Sequence, residues 1–102
     1  MSVEVVREVP EVVDGAKVLF YTPIDDRHQV TRNTKHVVAG SLVGPAKWLA
    51  ICQYENDSSF YLFGCDENWN YLTDTCHLSI EEAKKQAEFE YIGTTSTWQR
   101  VE

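Results

Sequence analysis

Between Lys47 and Thr75 the chain is written as three short runs, Lys47–Tyr54, Ser59–Cys65 and Trp69–Thr75, parted by Glu55-Asn56-Asp57-Ser58 and Asp66-Glu67-Asn68. Runs of this length rich in Trp, Tyr, Phe and Ile suit a pleated, half-buried surface. The separators are turn chemistry in loops short enough to reverse the chain on itself. The pattern predicts a three-stranded antiparallel meander, and it constrains the fold more than any other feature.

Period-two alternation then sorts the side chains onto two faces. If Tyr54 pairs with Ser59 and Cys65 with Trp69, one face collects Leu49, Ile51, Phe60, Leu62, Gly64 and Leu72. The other collects Trp48, Cys52, Tyr54, Tyr61, Phe63, Cys65, Trp69 and Tyr71. The first face is aliphatic and suits packing under a helix. The second is nearly an aromatic plate. It is either a second core layer, covered by an N-terminal hairpin or a last strand, or a surface that grips a partner, since Trp and Tyr dominate binding hot spots. Exposure on it is expected nearest the turns, at Trp48, Tyr54 and Trp69. A slip of one residue would exchange the faces.

A helix is predicted over residues 79 to 92. Ser79 can cap it, and Glu82 three residues later completes a capping box. Glu81 and Glu82 also sit at the favourable end of the helix dipole. Ile80, Ala83, Ala87 and Tyr91 recur at spacings of three and four and form one apolar stripe. Phe89 falls away from that stripe and needs other cover. Gly93 is a natural stop, and residues 97 to 101 read as a last strand with Trp98 its most buried side chain. At the other end, valine-rich residues 3 to 13 and Lys17–Thr22 flank Asp14-Gly15, a strong hairpin signal because a type I′ turn needs positive φ at both positions. Pro10 has no amide hydrogen, which places the first strand at a sheet edge. Further strands are expected around Val30 and His36–Val38. At 102 residues the expectation is one α+β domain over 1–102, with a mostly antiparallel sheet (hairpin plus meander) and one helix on one face.

The net charge is −7, which disfavours nucleic acid and anionic lipid and favours a cationic protein partner. No apolar run approaches a membrane span and no signal segment opens the chain, so a cytoplasmic location is expected. The cysteines Cys52, Cys65 and Cys76 are odd in number and read as reduced, mostly buried thiols. One stretch departs from the acidic average: Arg27 to Tyr54 lacks Asp and Glu but holds Arg27, Arg32, Lys35 and Lys47, with His28 and His36. Arg27, Arg32 and Lys35 therefore join Trp48, Tyr54 and Trp69 as candidate partner-binding residues, although a merely solvated loop would look the same.

Catalytic patterns are thin. Cys76-His77 is an adjacent pair rather than a spaced ligand set, so no metal site is expected, and no cofactor motif is present. Asp74, Cys76 and His77 supply the residue types of a thiol–imidazole pair, but chain neighbours point apart. The plainer expectation is that Asp74 and Thr75 end the strand while Cys76 fills the core below the helix.

Phe60-Tyr61-Leu62-Phe63-Gly64-Cys65-Asp66, Thr73-Asp74-Thr75-Cys76-His77, Ser79-Ile80-Glu81-Glu82-Ala83 and Gln86-Ala87-Glu88-Phe89-Glu90-Tyr91, followed by Trp98, resemble a family of short bacterial proteins with no assigned activity. The resemblance covers a little over half of the chain, from Pro45 onward. It implies strand, turn, helix and strand, not a reaction. Three functions stay open: a non-enzymatic binding domain, of the immunity or inhibitor kind, for a basic partner; a homo-oligomeric scaffold built on the aromatic plate; and a small enzyme using His28, His36 or His77.

Overall fold

The structure, a computed structural model, describes residues 9–34, 37–38, 41–42 and 44–101. In chain order its strands are β1 (Val12–Val13), β2 (Ala16–Pro23), β3 (Gln29–Val30), β4 (Val37–Val38), β5 (Ser41–Leu42), β6 (Trp48–Gln53), β7 (Phe60–Cys65) and β8 (Tyr71–His77). Helix α1 (Ile80–Glu90), β9 (Tyr91–Ile92), a 3₁₀ turn at Thr94–Ser96 and β10 (Gln99–Arg100) follow. The main sheet is antiparallel with order β1-β2-β6-β7-β8, and β10 pairs with β2. Two small antiparallel pairs, β3–β9 and β4–β5, complete the strands. The chain is an α+β protein in which the single described helix packs against a largely antiparallel sheet.

The hairpin forms as its turn chemistry requires. Val13 pairs with Ala16, and Asp14 and Gly15 take φ of 52° and 80°, the two positive values of a type I′ turn. β1 is an edge strand and begins two residues after Pro10. Residues 1–8 lie outside the described part. β2 carries a bulge between Val18 and Phe20, so Val18 and Tyr21 join one face of the sheet while Phe20 joins the other.

The two faces are as unlike as the alternation predicts. One packs Leu49, Ile51 and Leu62 with Ala83, Ala87 and Tyr91 of the helix segment. The other packs Val13, Ala16, Val18, Ala50, Cys52, Phe63 and Cys65, with Tyr21, Trp48, Tyr54, Tyr61 and Trp69 around them. At about 25 cal/mol per Å² of apolar surface, each buried large side chain here contributes roughly 1.5–3 kcal/mol. Phe63 and Ile51, the largest fully buried side chains, anchor opposite faces.

Several boundaries differ from the sequence reading. β7 and β8 join through Asp66–Asn70, so Cys65 pairs with Tyr71 and not Trp69. The Asp66 carboxylate accepts from the backbone N–H groups of Asn68 and Asn70 at 2.8 and 2.9 Å, which extends the turn by two residues. Asp74 and Thr75 do not end β8, which runs on to His77. Leu72 is the extra residue of a bulge. Beyond it Asp74 and Cys76 fall on the aromatic face, so Cys76 is exposed and not under the helix. Gly64 gives room to Thr73 rather than to the helix: a Cβ there would meet Thr73 Oγ1 at 2.5 Å.

The helix stops at Glu90, two residues short of the predicted end. Ser79 Oγ accepts from Glu82 N–H at 3.1 Å and starts it. Tyr91 leaves it in extended conformation to pair with Val30, and its hydroxyl accepts from Ala46 N–H at 2.9 Å. Gly93 has φ of 106°. Phe89 finds no cover and is exposed, while Trp98 is half-buried and β10 spans only Gln99–Arg100.

Candidate functional site

The aromatic face is the most developed surface among the described residues. Its rings touch in two chains. Trp48 and Trp69 stack at 4.6 Å between centroids, and Tyr21 lies 6.3 Å from each. Tyr54, Tyr61, Phe63 and Tyr71 follow one another at 5.2, 6.2 and 5.4 Å. The sheet curls so that these rings lie over the small residues Ala50, Cys52, Ala16 and Val18. Trp48, Tyr54 and Trp69 are each half-buried, and Tyr71 is the exposed ring.

Carboxylates rim this face. Tyr54 donates its hydroxyl to Asp14 Oδ2 at 2.6 Å, and that carboxylate pushes the phenol up to about 12. Tyr61 donates to Asp57 Oδ2 at 3.2 Å and stands across the strand pair from Cys76. The Cys76 thiol and then Asp57 raise the Tyr61 phenol to about 12. Asp74 lies opposite Phe63 and is exposed. None of the described strand residues on this face is Lys or Arg.

Trp69 combines two costs in one residue. Its φ is 67°, left-handed backbone that a bulky side chain rarely adopts. Its indole Nε1 is buried with no acceptor among the described residues. The turn enforces the backbone: Trp69 N–H bonds to Asp66 O at 3.0 Å and Asp66 N–H to Asn70 O at 2.9 Å. Sequence reasoning picked out Trp69 by its place beside a turn; the left-handed backbone carries no such signal, because a Trp is a poor choice for it.

Of the basic candidates, Arg27 and Arg32 lie among the described residues. Arg27 is bound to its near neighbour, Nε and Nη2 donating to Asp25 at 3.0 and 2.8 Å. The Arg27 guanidinium holds the Asp25 carboxyl down at about 2. Arg32 is exposed with φ of 61°. Lys35, like His36, lies outside the described residues.

The two described histidines have different surroundings. The His28 side chain is fully buried. Its Nδ1 accepts from Asp25 N–H at 3.0 Å, so Nε2 holds the proton and donates to Thr97 Oγ1 at 2.9 Å. Thr97 in turn meets buried Thr22 Oγ1 at 2.6 Å. Both ring nitrogens are thus engaged in structural bonds. His77 Nε2 sits 2.7 Å from Thr75 Oγ1 and opens onto a shallow hollow of about 420 Å³ lined by Glu82, Lys85, Gln86 and Phe89. Burial lowers the His77 imidazole below its ordinary value, against the pull of Glu82 and Glu90. Cys52 and Cys65 are buried, and desolvation pushes both thiols up to about 12, the reverse of what a nucleophilic thiol needs.

No described helix is long and apolar enough to cross a membrane. Compared with models of protein families, with curated proteins and with solved structures, the chain matches none. The function is therefore argued from the site alone.

Proposed function

We propose that the protein is a non-enzymatic binding domain, of the immunity or inhibitor kind, that holds a basic protein partner against its aromatic face in the cytoplasm. The observation that carries this reading is Trp69. Its left-handed backbone and its buried indole N–H, without an acceptor among the described residues, each cost on the order of 1–3 kcal/mol, and strain of that size concentrates at sites of function. It stacks on Trp48 within a face rimmed by Asp14, Asp57 and Asp74. Large rings ringed by carboxylate suit Lys- or Arg-rich surfaces, through cation–π contact and charge steering. The net charge of −7 adds long-range attraction, and three unpaired cysteines suit a reducing compartment.

The test is capture of a partner by the tagged chain at low salt, followed by titration of the purified pair. The expected result is a stoichiometric complex with one basic protein, weakened by salt and by Trp69→Ala by about 2 kcal/mol, roughly 30-fold. A complex indifferent to Trp69→Ala would sink the assignment of the face. Recovery of a dimer or larger species with no partner would favour the scaffold reading, and an activity lost in His77→Gln would favour the enzyme.

A further inference from the structure

The two edges of the main sheet are finished differently. On one side β2 is covered by β1 and β10, two residues each, with Pro10 just before β1. Short strands and proline are the usual means of blunting an edge. On the other side β8 is a seven-residue strand, and among the described residues no strand pairs with its outer side. It contains neither Pro nor Lys, and past the Leu72 bulge it is regular from Thr73 to His77.

Exposed apolar side chains stand at the two ends of this strand and on the helix beside it. Tyr71 opens β8 at 46% exposure, Leu78 follows its last residue at 79%, and Phe89 of α1, which lines a hollow with His77, is 52% exposed. The hollow below the edge runs from His77 to Phe89. The rows of β8 alternate across the sheet plane: Asp74 and Cys76 belong to the aromatic side, Thr73, Thr75 and His77 to the helix side.

Building on the partner reading above, we propose that the free edge of β8 receives an extended segment of the basic partner as an added strand. Its Lys or Arg side chains would face Asp74, and its apolar side chains would settle into the hollow against Phe89. Main-chain hydrogen bonds supply affinity in such strand addition, and alternate side-chain pockets supply selectivity. A second copy of the chain fits less well. Antiparallel pairing over the whole of β8 would set Asp74 against Asp74 of the second copy, and like charges directly opposite destabilise a pair. Each copy also carries −7.

The test uses a synthetic octapeptide alternating Lys and Val, with two controls: one with a central Pro and one with Glu in place of Lys. Binding is followed on the full chain by amide NMR and hydrogen exchange at low salt. The expected result is saturable binding that shifts Tyr71–His77 and Phe89 and slows exchange at alternate amides of β8. Both control peptides, and the Asp74→Lys chain with the first peptide, should bind at least about tenfold more weakly. Absence of saturable binding, or equal binding of the proline peptide, overturns the proposal. So does a wild-type dimer with β8 amides already protected, which would give the edge to a second copy. A captured basic partner that shifts Trp48 and Trp69 while β8 amides go on exchanging would refute strand addition and leave the partner reading standing. Peptide addition at β8 in a chain that captures no basic protein would do the reverse.

Discussion

Glu88 offers a sharp test of how the end of the helix is held. A carboxylate in the last turn opposes the helix dipole, so its presence needs a compensating role. It accepts from Gly93 N–H at 3.0 Å, from Thr95 N–H at 3.0 Å and from Thr95 Oγ1 at 2.8 Å, with Thr94 Oγ1 farther at 3.4 Å. Glu88 therefore caps the 3₁₀ turn that follows α1. Hydrogen bonds to a charged group contribute about 1.5–3 kcal/mol when sheltered and less when wet. Two of these are exposed, so Glu88→Ala should cost about 2 kcal/mol in all, and Glu88→Gln about half that. For a domain of this size the alanine variant should melt roughly 10 °C lower. Burial alone would raise the Glu88 carboxyl, but the bonds from Gly93, Thr95 and Thr94 outweigh it and hold the group below its ordinary 4.5. A depressed carboxylate adds stability that is complete above its unfolded value and is lost as pH falls through the folded one. The gap between wild type and Glu88→Gln should thus be full at neutral pH and close below pH 4.5. Urea unfolding at a series of pH values measures both quantities. An alanine variant within about 0.5 kcal/mol of wild type, or a glutamine gap that does not change with pH, would refute the capping argument.

Two further outcomes are expected. Gly93→Ala should lower stability by more than about 1 kcal/mol in urea unfolding, since φ is 106° and a Cβ would meet Arg27 O at 2.7 Å; the same change at Gly44, where a Cβ meets nothing within 4 Å, should be close to neutral. In the native protein a water-soluble thiol reagent should label Cys76 alone, with Cys52 and Cys65 reacting only after unfolding, because those two are buried; labelling of a second thiol under native conditions would contradict the packing of the aromatic face.

The meander, hairpin and helix start were legible because each is written in local chemistry. Asp14-Gly15 and the Ser79 cap name their own geometry, and the β6–β7 register, with Cys52 opposite Tyr61, follows from loop length. The β7–β8 register was not legible, because it depends on the Asp66 side chain reaching Asn68 and Asn70 and on the Leu72 bulge. That turn and bulge moved Cys76 from an expected core position to the surface. Tyr91 ended the helix early through Val30 and Ala46, partners 61 and 45 residues away in the chain that no local pattern announces. The aromatic face itself followed from alternation. Its acidic rim did not, since Asp14, Asp57 and Asp74 come together only once the strands are paired.

The line of hydroxyls from His28 through Thr97 to Thr22 bears on the order of assembly during synthesis. Thr97 lies 75 residues beyond Thr22 and 69 beyond His28. While only the earlier residues have left the ribosome, β2 has β6 to pair with and the Thr22 hydroxyl has Pro23 O, but His28 Nε2 must stay in water. Closing that region before Thr97 emerges would strand His28 Nε2, at a cost of about 1–3 kcal/mol. The segment after the helix thus acts as a latch on the first half of the chain, and a nascent chain halted before it should remain open to proteases along β2.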